Sequence, residues 1–80
     1  MSVSSKNLSP IEISECNRLF SDLYQRYKAN RKARIAALVD GRYAEANALK
    51  AIRVRIEQEA VEAGKRFGID PDVAVDYVVG

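Results

Sequence analysis

Eighty residues with one cysteine and no histidine make a single small domain with neither an internal disulfide nor a Cys/His zinc site to staple it. A net charge of +2 is too small by itself to argue for nucleic acid, and the lack of histidine removes the commonest general base. No apolar run reaches the length that a membrane span or a secretory leader needs, so the expectation is a cytoplasmic protein that makes no use of a membrane.

The composition favours helix. Alanine is abundant, and Arg, Lys, Glu and Leu fill much of the rest. A core of Ala, Leu, Ile and Val suits close-packed helices better than a thick sheet sandwich. The expected fold class is all-α: an antiparallel helical hairpin with a short C-terminal third helix, one domain over residues 9–80. A core this small points to completion of a bundle by dimerisation or by partner binding.

Residues 1–8 are small and polar and read as a flexible tail. Ser9-Pro10-Ile11-Glu12 is the strongest local signal. Serine can accept from the exposed amides of a first turn, and proline at the first helical position loses no hydrogen bond. Glu12, three residues after Ser9, completes a capping box. The predicted helix runs over 10–39 with an apolar stripe at Cys16, Leu19, Phe20, Leu23, Tyr24 and Tyr27. Asn30, Arg31 and Lys32 interrupt the stripe, and Ile35, Leu38 and Val39 resume it one step round.

Asp40-Gly41 predicts a turn over 40–42, since glycine tolerates the left-handed backbone of a helix C-terminus. The alternative is one long helix carrying Gly41 at a cost of about 1 kcal/mol. A second helix is expected over 43–67, striped at Ala46, Leu49, Ile52, Ile56, Ala60, Ala63 and Phe67. Val54 and Val61 lie off that stripe and hint at a second contact surface, a dimer or a third helix. Lys65 and Arg66 suit the helix's negative end, and Gly68 is a natural cap. Asp70-Pro71 then restarts structure. Residues 71–79 read as a short helix, although Val73, Val75, Tyr77 and Val79 also alternate as a strand would.

The charge is unevenly spread. Residues 26–55 carry a net +7, and the remainder carries −5. On a hairpin turning near residue 40, the basic residues gather at the turn end and the acidic ones at the open end. Like charges crowded at one end repel, so stability alone does not explain the layout. One reading is a set of solvated outer helix faces. The other is a docking surface made of Arg26, Tyr27, Lys28, Arg31, Lys32, Arg34, Arg42, Tyr43, Lys50, Arg53 and Arg55. Within it Arg31, Lys32 and Arg34 are the preferred contacts, because there the core stripe lapses. Tyr27 is also expected to pack in the core.

Other chemistry finds little support. Cys16 sits on the apolar stripe, where a thiol is inert. Glu57, Glu59 and Glu62 do not share one helix face, so they form no obvious metal cage. No Gly-rich loop follows a strand. No cofactor, metal or catalytic residue is expected.

Two stretches carry family resemblances. GRYAEANALKAIRVRIEQEA, residues 41–60, resembles the second half of a UVR-type helical hairpin, with an aromatic and alanines entering a helix and then Leu and Ile at helical spacing. That resemblance implies a protein–protein docking hairpin. Leu19 to Arg26, together with RFGIDPDVAVDYVV at 66–79, is similar to segments of the all-helical chorismate mutases. That resemblance implies a mutase in which Arg26 would be essential. The lysine of that family's pattern is absent, since Ala36, Ala37 and Leu38 occupy its place, and Gly41 breaks the first helix.

The expected function is therefore a non-enzymatic interaction module, an adaptor, regulator or inhibitor. It would form a homodimer and dock a larger protein with an acidic surface through the basic turn end. The alternative is a nucleic-acid binder using the same end, which predicts affinity that falls steeply with salt. A mutase-like enzyme is the remote alternative.

Overall fold

A computed structural model describes residues 8–80; the first seven residues of the expected tail lie outside the described residues. The described chain is all-α. Helix α1 spans Pro10–Val39, α2 spans Tyr43–Phe67 and α3 spans Pro71–Val79. The described residues include no strand, so the strand alternative for 71–79 is corrected: Asp70 and Pro71 open a helix. No helix among them is long and apolar enough to cross a membrane.

The helix ends follow from local chemistry. Ser9 Oγ accepts from the Glu12 amide at 3.2 Å, and Glu12 Oε1 accepts from the Ser9 amide at 2.9 Å. This reciprocal pair satisfies two donors that the first turn would otherwise leave open. Both long helices close in the same way. Arg42 N–H donates to the Ala37 carbonyl at 2.8 Å across Gly41, and Ile69 N–H donates to the Gly64 carbonyl at 2.7 Å across Gly68. Each bridging glycine has a positive φ, +74° and +73°, a conformation that a Cβ would strain. Gly41 therefore ends α1, and the single-long-helix alternative is corrected.

The hairpin is a rod, with principal extents of 48 × 20 × 15 Å. Its seam keeps a strict three-four rhythm. On α1 the inward residues are Phe20, Leu23, Tyr27, Asn30, Arg34 and Ala37. On α2 they are Ala46, Leu49, Arg53, Ile56, Ala60, Ala63 and Phe67. This is the spacing that lets two helices mesh as knobs and holes.

The apolar core lies at the open end, where α3 joins the hairpin. Phe20, Leu23, Ile56, Ala60, Ala63, Phe67, Ala74 and Val78 are buried together. Leu8, the last residue of the expected tail, is half-buried against this cluster, as are Cys16, Leu19, Tyr27 and Ile69. The α3 helix seats by close approach. A Cβ on Gly64 would lie 2.8 Å from the Ala74 Cβ, so the glycine is what lets α3 lie so near α2. The Tyr77 ring meets the Phe20 edge at 5.8 Å between centroids and 68° between planes, and the chain reaches Tyr24 at Gly80. The molecule is thus three helices thick at the open end and two at the turn end.

Candidate docking face at the turn end

At the turn end the seam itself is polar. Asn30 is only 6% exposed and donates from Nδ2 to the Leu49 carbonyl at 2.9 Å. Its Oδ1 accepts from Arg34 Nε at 2.8 Å. The expected lapse of the stripe is therefore no gap in packing. Asn30 and Arg34 occupy seam positions, and Arg34 is half-buried rather than freely projecting. On α2 the seam passes through Arg53 instead of Ile52, which stands 47% exposed. The stripe read from sequence is wrong by one residue there. The three-four alternation selects Arg53, which is partly buried there with its long apolar stem available to cover the seam.

A polar seam turns apolar residues outward. Ile35 and Leu38 are 53% and 52% exposed, Val39 is 79% exposed, and Val54 and Tyr43 are also exposed. The expectation that Ile35, Leu38 and Val39 resume the inner stripe is corrected. Small residues, Ala37 and Ala46, fill the inner positions near the turn and hold the two helices close.

Of these outward residues, Leu38 lines the continuation of the groove that α3 occupies, and Ile35 lines a dent beside it. Steps of seven residues keep one face of paired helices. From Tyr24, which α3 reaches, such steps lead along α1 to Arg31 and Leu38. From Gly64, beneath Ala74, they lead along α2 to Glu57 and Lys50. Beyond Gly80 the groove deepens into a cleft lined by Arg34, Leu38, Ala46, Asn47, Lys50 and Arg53. Three of those side chains are cationic and none is acidic. Arg53 Nε is buried without a hydrogen-bond acceptor, its closest carboxylate oxygen, on Glu57, being 3.8 Å away. Lys28, Arg31, Lys32 and Ile35 line a shallower dent on α1 nearby.

The candidate residues separate by how they are paired. Arg26 grips Glu59 with two parallel hydrogen bonds, 2.9 and 3.0 Å. Arg26 thereby clamps α1 to α2. The guanidinium holds the Glu59 carboxyl below the usual carboxylate range, and the same bond pushes the Arg26 pKa up. Arg42 bonds Asp40 and Glu45 beside the turn, which raises its pKa as well. Lys28 lies over the Tyr24 ring, 5.3 Å from its centroid. Tyr27 is half-buried against the core, and Tyr43 is exposed at the turn. Arg55 lies with Glu59, Glu62 and Arg66 along a shallow dent of mixed charge, apart from the cleft. Arg31, Lys32, Arg34 and Lys50 have no carboxylate partner among the described residues.

The acidic side separates in the same way. Glu15 accepts from Arg66 at 2.7 Å, and Glu62 pairs with Lys65 at 3.4 Å. Asp70, Asp72 and Asp76 on and before α3 have no ion-pair partner among the described residues. Burial raises the Cys16 thiol pKa, which disfavours the reactive thiolate. Among the described residues no group of three Cys, Asp or Glu side chains is placed to hold a metal ion.

No family model matches the chain, and no curated protein or solved structure is significantly similar to it.

Proposed function

We propose that this protein is a small interaction module whose turn-end groove docks an acidic, amphipathic helix of a larger protein. The observation that carries the reading is the combination found in one groove. Arg34 and Lys50 lack carboxylate partners there and border exposed Leu38, and Arg31, also without one among the described residues, lies seven residues from Leu38 on the same helix face, with exposed Ile35 in the dent beside it. An acidic helix with an apolar edge would satisfy both features, neutralising the cations and covering the apolar side chains. The exposed aliphatic residues favour protein over nucleic acid, because phosphates gain nothing from Leu38, Ile35 or Val39. Ion pairing of Arg26 with Glu59 also supports a structural role for that arginine over a catalytic one.

Affinity capture from nuclease-treated lysate tests the reading with three baits: wild type, Arg31→Glu/Lys50→Glu and Asp72→Lys/Asp76→Lys. A stoichiometric protein is expected on the wild-type and α3-variant baits and absent from the groove-variant bait. Retention of the same protein by the groove variant contradicts the reading. A partner captured from untreated lysate but lost after nuclease treatment would instead support the nucleic-acid alternative.

A further inference from the structure

We infer that a second copy of this chain can occupy the same groove, its α3 lying antiparallel over the turn end of the first. The inference rests on the docking reading of the groove and names an occupant present in the sequence. The outward side of α3 exposes Asp72 and Asp76, neither of which has an ion-pair partner among the described residues, with Val73 and Tyr77 beside them. The open groove presents the opposite chemistry, with Arg34, Lys50 and Arg53 beside Leu38, and Arg31 seven residues before Leu38 on the same face of α1.

The shapes also match. α3 stands out from one face of the hairpin at the open end, and that same face is uncovered at the turn end. Two rods placed face to face and antiparallel bring each thick end over the other's thin end. A twofold axis perpendicular to the rods relates them, and the two α3 helices form a single layer between two hairpins. The nine residues of α3 span roughly 14 Å, and α1 beyond Tyr24 extends about 22 Å, so the helix fits the available length. The contact is isologous and closes on itself, which produces a dimer rather than a filament. Self-pairing and docking of an external acidic helix are then mutually exclusive, so pairing shields the face until a partner competes for it.

Sedimentation equilibrium of charge-swapped variants tests this. Wild type is expected to be a dimer at low salt and to dissociate as salt is raised. Arg31→Glu/Lys50→Glu alone and Asp72→Lys/Asp76→Lys alone should each be monomeric at concentrations where wild type is dimeric. An equimolar mixture should restore the dimer, because both groove contacts then join opposite charges. Restoration also shows that both variants are folded. A wild type that stays monomeric at low salt, or variants that dimerise as wild type does, overturns the inference. Neither result bears on the docking of an external partner, which is read from the three capture baits.

Discussion

Single side chains at two places set how tightly the helices can approach. Gly64 sits inside α2, where alanine would ordinarily favour the helix by about 1 kcal/mol. Here a Cβ would press on Ala74 at 2.8 Å and on the Ile69 carbonyl oxygen at 3.2 Å. Relieving that contact moves α3, and overpacking of this kind costs about 1–3 kcal/mol. Gly64→Ala should therefore lower the thermal midpoint despite its better helix propensity, and Ala74→Gly in the same chain should recover part of the loss. A Gly64→Ala variant as stable as wild type would contradict the seating of α3. The sequence held one weak clue to this role, a glycine within a helical pattern, which sequence reading passed over.

Arg26 and Glu59 predict a pH effect whose sign follows from the direction of the shift. The Glu59 carboxyl is held lower in the folded chain than in the unfolded one. The pair's contribution is fully present above the ordinary carboxylate pKa and is lost as pH falls through the depressed value. Both side chains are more than a third exposed, so solvent screening limits the pair to about 0.5–1 kcal/mol. Glu59→Gln should weaken the fold by that amount near neutral pH and make little difference in strong acid. Denaturant titrations across the pH range check this, and an unchanged neutral-pH stability would show that the bidentate contact contributes nothing.

Among the elements, α1 is the one whose halves differ most. Its first half packs apolar residues against α2 and α3. Its second half places Asn30 and Arg34 in the seam and turns Ile35, Leu38 and Val39 to solvent. A buried asparagine at a seam position fixes register at a cost in stability. Asn30→Leu is expected to raise the thermal midpoint while loosening the register near Leu49. A lower midpoint would mean that the bond to the Leu49 carbonyl contributes more than an apolar seam would.

The helix limits were legible because caps are local. The Ser9–Glu12 box, Gly41, Gly68 and Pro71 each act within a few residues, although the Asp70 side chain makes no capping hydrogen bond at the start of α3. The facing of the second half of α1 was not legible. Hydrophobic periodicity assumes that apolar residues point inward, and here long polar side chains hold the seam while aliphatic ones point out. The substitution of Arg53 for Ile52 in the α2 seam has the same cause. The strict three-four alternation was the available signal, and it outranks apolarity at that step.

At the scale of the whole molecule, a charge-polarised rod follows directly from +7 in residues 26–55 and −5 elsewhere. The ion pairs sharpen that picture. Arg26, Arg42 and Arg66 are spent within the chain, whereas Arg31, Arg34 and Lys50 in or beside the groove and Asp72 and Asp76 on α3 have no ion-pair partner among the described residues. The candidate site narrows accordingly from eleven residues to a groove centred on Arg34, Leu38 and Lys50, with Arg53 in its lining and Arg31 beside it on the same face of α1. Binding driven by those charges should weaken as ionic strength rises, while the apolar edge retains part of it.

The most direct measurement places a photo-reactive side chain at Leu38, inside the groove, and separately at Gln58, in the mixed-charge dent lined by Arg55 and Glu59. Cross-linking in cells is predicted to give a discrete adduct from position 38, to a protein partner or to a second copy, and none from position 58. An adduct from position 58 alone, or equal adducts from both positions, would contradict docking through the turn-end groove.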